Sequence, residues 1–156
     1  MMNYDLLFMR EALKEARAAF EHDEVPVGAV ITRDNHIVAR AHNQVELLKD
    51  PTAHAEILAI TQAASSLKSK WLLGCKMYVT LEPCCMCAGA LVLARMKAVL
   101  FGAADPKTGA CESVFQIVSH PALNHRVEVG TGLLSEECGA LLSEFFLAKR
   151  TSCNGK

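Results

Sequence analysis

KMYVTLEPCCMCAGALVLARMKAVLFGA, residues 76–103, carries the information from which the topology follows. Lys76 to Leu81 reads as a strand, about Cys84 to Ala94 as a helix, and Ala98 to Ala103 as another strand. A strand, a helix and a strand at this spacing imply a right-handed crossover between neighbouring parallel strands. Pro83 has no N–H and a fixed φ, which suits the first helical position, so the chain is expected to turn from strand into helix there. Sites in such sheets form at the carboxyl ends of the strands, and Glu82-Pro83-Cys84 lies at one.

The turn also carries metal-ligand chemistry. Cys84 and Cys87 are three apart, so on a helix their sulfurs share a face, while Cys85 points roughly 100° away. Cys84 is expected at a helix N-terminus, where free N–H groups and the positive end of the dipole favour a thiolate, the form that binds metal. Alone, C-x-x-C fits a redox pair or half of a structural zinc site equally well. About thirty residues upstream stands His54-Ala55-Glu56, which offers a third ligand and one unspent carboxylate. Three protein ligands leave a fourth tetrahedral position for water, the arrangement of a catalytic zinc site, with Glu56 as the base beside that water. A structural zinc module would need a fourth ligand, and Cys85 faces the wrong way. A redox site would need neither His54 nor Glu56.

Composition sets bounds on the rest. A chain of 156 residues with 51% apolar content suffices for one domain with a real core and is short for two. The formal charge of -1 announces no nucleic-acid binder, so any RNA contact must come from a local patch. Seven cysteines, three of them within four positions, argue against a disulfide framework and for a reducing compartment. Leu6-Leu7-Phe8-Met9 is too short for a signal peptide, and nothing approaches a membrane span, so a cytoplasmic protein is expected.

Along the chain, Leu6, Met9, Leu13, Ala16 and Phe20 recur at helical spacing, predicting an amphipathic helix from Asp5 to about Glu21. Val25 to Thr32 and Ile37 to Ala41 flank the turn-like Arg33-Asp34-Asn35-His36 and predict a hairpin. Asn43 to Pro51 reads as a loop, and Asp50-Pro51-Thr52 as the start of a helix running to about Leu67. Positions 54 and 56 differ by about 200° on a regular helix, so His54 and Glu56 must act from its first turns. A polar loop, Asp105-Pro106-Lys107-Thr108-Gly109, leaves the next strand on the metal side. Ser113 to Val118 is expected as a short helix and Val127 to Val129 as a short strand. Ser135 is expected to cap a last helix to about Arg150, with Thr151 to Lys156 fraying. His22, His42, His120 and His125 show no ligand spacing, and His36 reads as a turn residue. Of Phe145 and Phe146, about 100° apart, one is expected in the core and the other more exposed.

The pattern H-x-E…P-C-x-x-C is the signature of zinc nucleobase deaminases. With Val25-Pro26-Val27-Gly28-Ala29-Val30, Asp50 to Glu56, Tyr78 to Cys84, Met86 to Ala90, Asp105 with Lys107 to Gly109, Asn124 to Glu128 and Phe145-Phe146, nearly the whole chain resembles the bacterial tRNA-specific adenosine deaminases of the cytidine-deaminase-like superfamily. The resemblance implies a three-layer α/β/α fold with a central mixed sheet of about five strands. It implies one Zn²⁺ per chain on His54, Cys84 and Cys87, and Glu56 as the proton carrier that converts adenosine to inosine at the wobble position of a tRNA anticodon stem-loop. It also implies that Asn43, Val27 and Ala55 meet the target nucleoside, that Asp105 and Lys107 hold neighbouring nucleotides, that Phe146 and Arg150 pack on the loop beyond, and that the protein is a homodimer. Lys49 and Ala104 depart from some relatives, which carry histidine at the first position and an arginine or an acid at the second. The rival expectations are a small-molecule deaminase acting on guanine or cytosine and a non-catalytic, zinc-stabilised RNA-binding domain.

Overall fold

The computed structural model describes residues 2–153. Its first helix, α1 (Tyr4–Glu21), opens on Asn3, whose side-chain oxygen accepts the Leu6 N–H at 3.2 Å. The hairpin follows as β1 (Gly28–Arg33) and β2 (His36–His42), joined through Asp34 and Asn35, both at positive φ, the backbone that a tight hairpin turn demands. Then come α2 (Val45–Leu48), α3 (Ala55–Leu67), β3 (Lys76–Leu81), α4 (Cys85–Leu93), β4 (Ala98–Ala103), β5 (Glu128–Thr131) and α5 (Ser135–Cys153).

The strands form one sheet in the order β2-β1-β3-β4-β5. β1 runs antiparallel to β2 and β3, while β3, β4 and β5 are parallel, with Tyr78 opposite Leu100 in register. The expected crossover from β3 through α4 to β4 is therefore present. Period-two alternation sorts the side chains onto two faces. Ala29, Ile31, Met77, Val79, Val99 and Phe101 pack toward Ala55, Ala59 and Ala63 of α3 and Leu91 of α4. Val30 and Tyr78 pack on the opposite face with Phe8, Met9 and Ala12 of α1, and α5 lies beyond β4 on that side. The result is the three-layer α/β/α arrangement around a five-stranded mixed sheet.

Helix α1 lies unusually close to the sheet. Ala12, Ala16 and Ala19 are fully buried, and a Cβ on Gly28 would stand 2.0 Å from the Ala12 carbonyl oxygen. Only glycine admits that approach.

Several boundaries differ from expectation. β1 begins at Gly28 rather than Val25, because Pro26 has no donor and the Val27 N–H is spent on the Val25 carbonyl at 2.8 Å. The 43–51 loop contains the short helix α2, whose Glu46 and Leu47 N–H groups donate to the buried Glu24 carboxylate. Asp50-Pro51-Thr52 forms a turn and not a helix start: the Asp50 side chain accepts both the N–H and the hydroxyl of Thr52, at 2.8 and 2.7 Å, and α3 waits until Ala55. Ser113 to Val118 is irregular. β5 lies at Glu128–Thr131, and Ser135 is already inside α5, whose first N–H bond runs from Cys138 to the Leu134 carbonyl. Thr151 to Cys153 continue α5 instead of fraying, and 154–156 fall outside the described residues.

Candidate metal centre and cleft

Two helix starts converge at the carboxyl end of β3. His54 is the N-cap of α3 and Cys84 the N-cap of α4, both with extended backbone and neither bonding its own helix through its side chain. Pro83 thus precedes the cap and does not open the helix. Cys84 and Cys87 meet because an N-cap side chain naturally lies beside the third helical residue. Their sulfurs lie 3.7 and 3.6 Å from His54 Nδ1, and all three ligand atoms fall within 4.8 Å of one another. Cys85 is exposed and takes no part.

The electrostatics are those of an electron-rich cluster. The Cys87 thiol, and after it His54, pull the Cys84 pKa down to about 4. Its bond to Cys84, together with burial, pushes the Cys87 thiol up, and Cys84 in turn raises His54. Glu56, in the first turn of α3, is only 4% exposed, and burial pushes its carboxyl above the ordinary value.

These residues open onto a cleft of about 1200 Å³. His54, Glu56, Cys84, Asn43 and Val27 line it together, and the Asn43 N–H donates to the Val27 carbonyl at 3.1 Å. Ala55 is fully buried and does not line the cleft; it is the first residue of α3. Asp105 reaches the wall, but its carboxylate already accepts the N–H groups of Lys107 and Thr108 and the Thr108 hydroxyl. Lys107, Phe146 and Arg150 do not line the cleft. Thr108, Phe145 and Lys149 do, and Lys149 pairs with Asp23 at 2.7 Å. The two phenylalanines divide as expected, with Phe145 6% and Phe146 46% exposed.

Glu82 is placed by the sequence at the strand end but given no role there. Only 2% exposed, its carboxylate accepts the N–H groups of Asp105, Cys111, Glu112 and Ser113 and the Ser113 hydroxyl. It ties the loop after β4 to the turn that carries Cys84, and the N–H groups of Val114, Phe115 and Ile117 donate back to the Gly109 and Ala110 carbonyls in place of a regular helix at 113–118. A Cβ on Gly109 would lie 2.4 Å from the Glu82 carboxyl carbon, so the loop closes only over glycine. The available signal was an acid placed directly after an apolar strand and before a proline.

Comparison with known proteins agrees with this geometry. Residues 3–150 match the model of the MafB19-like deaminase family. A tRNA-specific adenosine deaminase of Aquifex aeolicus is 54% identical over 93% of this chain and 95% of the relative. A solved structure from a study of A-to-I editing by tRNA:A34 deaminases at the wobble position superimposes with a TM-score of 0.84, at 46% identity over 87% of this chain and 99% of that one. A guanine deaminase of Bacillus subtilis superimposes with a TM-score of 0.63, at 33% identity over 96% and 95% of the two chains. The chain belongs to the MafB19-like deaminase family, and within it to the family of the tRNA-specific adenosine deaminases.

Proposed function

We propose that this protein converts adenosine to inosine at the wobble position of a tRNA anticodon loop. The observation that carries the proposal is a buried carboxylate, Glu56, set beside a His/Cys/Cys triad at the base of a cleft large enough for more than one nucleotide. His54, Cys84 and Cys87 would hold one Zn²⁺. Zinc–sulfur and zinc–nitrogen bonds in a tetrahedron put sulfur and nitrogen roughly 3.6 Å apart, and the sulfur to nitrogen separations here are 3.7 and 3.6 Å. When bound there, Zn²⁺ supplies the Lewis acidity that makes water a nucleophile near neutral pH.

The chain's own residues do the rest. Water adds at C6 of the purine and ammonia leaves, so two protons must reach nitrogen: one the ring nitrogen, one the departing amine. Glu56 carries both, and its burial keeps bulk water from competing for them. Asn43 and Val27 frame the target base, with the Ala55 N–H behind it. Asp105, Lys107, Phe146 and Arg150 contact the flanking RNA in this proposal, joined by Thr108, Phe145 and Lys149 on the cleft wall. An anticodon loop suits the site because its bases are already unpaired.

A homodimer belongs to the same proposal, supported by apolar surface at Leu93, 79% exposed, and Leu73, 59% exposed. A cytoplasmic, reducing setting is supported by seven cysteines without a disulfide among the described residues. The purified protein is expected to form inosine in an anticodon stem-loop bearing a wobble adenosine, read by nucleoside mass spectrometry. Turnover of free guanine with no inosine in the RNA would assign it to the base deaminases instead.

A further inference from the structure

We propose that His22 and His42 form a stacking subsite for a nucleotide next to the target adenosine, a role that rests on the RNA substrate proposed above. His22 caps the end of α1 and His42 ends β2, twenty residues apart, yet their rings lie nearly parallel, with 16° between planes and centroids 6.0 Å apart. Both line the cleft, and His42 adjoins Asn43. The subsite is therefore continuous with the pocket for the target base.

Each ring is held in place. His22 Nδ1 donates to the Ala18 carbonyl at 2.7 Å, and His42 Nδ1 donates to the Glu15 carboxylate at 3.1 Å. With Nδ1 committed to these bonds in both rings, Nε2 is the nitrogen left to face a base or a ribose 2′-hydroxyl. Pre-oriented flat rings are what an unpaired base seeks, since stacking needs a π-face and no particular base. The opposite side of this arm is formed by Phe145, braced edge-on by Phe20 at 5.8 Å, with Lys149 at the rim. Lys149 is shared with Asp23, so its charge is partly spent, and the arm is better suited to a base and its ribose than to a bare phosphate.

The space also calls for an occupant. Drug-sized ligands fill pockets of roughly 300–1,000 Å³, whereas this cleft measures about 1200 Å³. One nucleoside on the metal side leaves the His22/His42 arm free for its neighbour.

The test measures kcat/KM on three anticodon stem-loops: intact, abasic on the 5′ side of the target adenosine, and abasic on the 3′ side. Wild type should lose about tenfold on one abasic loop, the scale of a single base–aromatic stack. His22→Ala should lose a similar factor on the intact loop and lose no more on that abasic loop, while His22→Phe, which keeps a flat ring, should recover most of the loss. His22 is exposed, so its replacement leaves the fold intact; His42→Ala provides a second measurement, with melting temperature as the control for its bond to Glu15. Variants that match wild type on the intact loop, or whose losses multiply with both abasic losses, overturn the subsite alone. A wild-type enzyme that never deaminates the intact loop overturns the parent proposal and this one with it.

Discussion

Glu56 and His54 occupy positions that a regular helix would point in different directions, and the chain resolves the conflict by leaving His54 outside as the N-cap of α3. The spacing made the conflict legible, but the sequence placed both residues in the first turns of a helix opening at Asp50-Pro51-Thr52, whereas α3 opens only at Ala55. Glu56→Ala is expected to keep the fold and one zinc per chain, while inosine formation falls by roughly 10²–10⁴-fold. Metal analysis beside the activity assay checks this, and loss of metal would show Glu56 to be a ligand. Cys87→Ser should have the opposite signature, with metal and activity lost together. Less legible were the residues of the cleft wall. Phe145 was distinguishable from Phe146 only as one of a pair, and which faced inward depended on Phe20, some 125 positions away in sequence. His22 and His42 had no spacing to betray them.

Elements were easiest to read where hydrophobic period and turn chemistry agreed, as in α1, the β1–β2 hairpin and the β3–α4–β4 crossover. They were misread where a buried side chain captured backbone groups from afar. Glu24 caps a helix inside an expected loop, and around Glu82 the 109–118 segment folds back on itself, the Ile117 N–H donating to the Ala110 carbonyl. Burial tends to raise the Glu82 pKa, but the donors on Ser113, Glu112 and Asp105 prevail and hold it below the ordinary 4.5. A depressed carboxylate stabilises the folded loop above the unfolded value and loses that contribution as pH falls through the folded one. The 105–113 segment should therefore loosen on acidification below about pH 4.5, seen as a pH-dependent shift of the Cys111, Glu112 and Ser113 amide resonances. Glu82→Gln, with one oxygen replaced by a donor, should loosen it already at neutral pH, and amide resonances unchanged from wild type would refute the staple. At the α1–β1 contact, Gly28→Ala forces a methyl against the Ala12 carbonyl and should destabilise by about 3 kcal/mol or more, measured by denaturant unfolding.

For the whole molecule, the parallel pair β3–β4 was foreseen, but the complete order β2-β1-β3-β4-β5 was not, since strand neighbours far apart in sequence leave no local trace. The candidate metal ligands join α3 to α4, two helices on one face of the sheet, so metal binding there should strengthen the folded state as a whole. Treatment with a chelator is expected to lower Tm, and readdition of zinc to restore it; a Tm indifferent to both would separate the triad from metal binding. Finally, the division between the cleft's base and its rim has a consequence for variation. The packing beneath the base is locked: Ala53, Ala55, Cys87 and Ala88, next in sequence to or near His54 and Cys84, are at most 1% exposed, so even a methyl added there meets packed neighbours. The rim, at His22, Asp23, Leu47 and Thr108, is open to solvent. Substitutions can accumulate there at little cost to folding, so the shape and charge of the cleft mouth can change while the packed interior beneath it stays fixed.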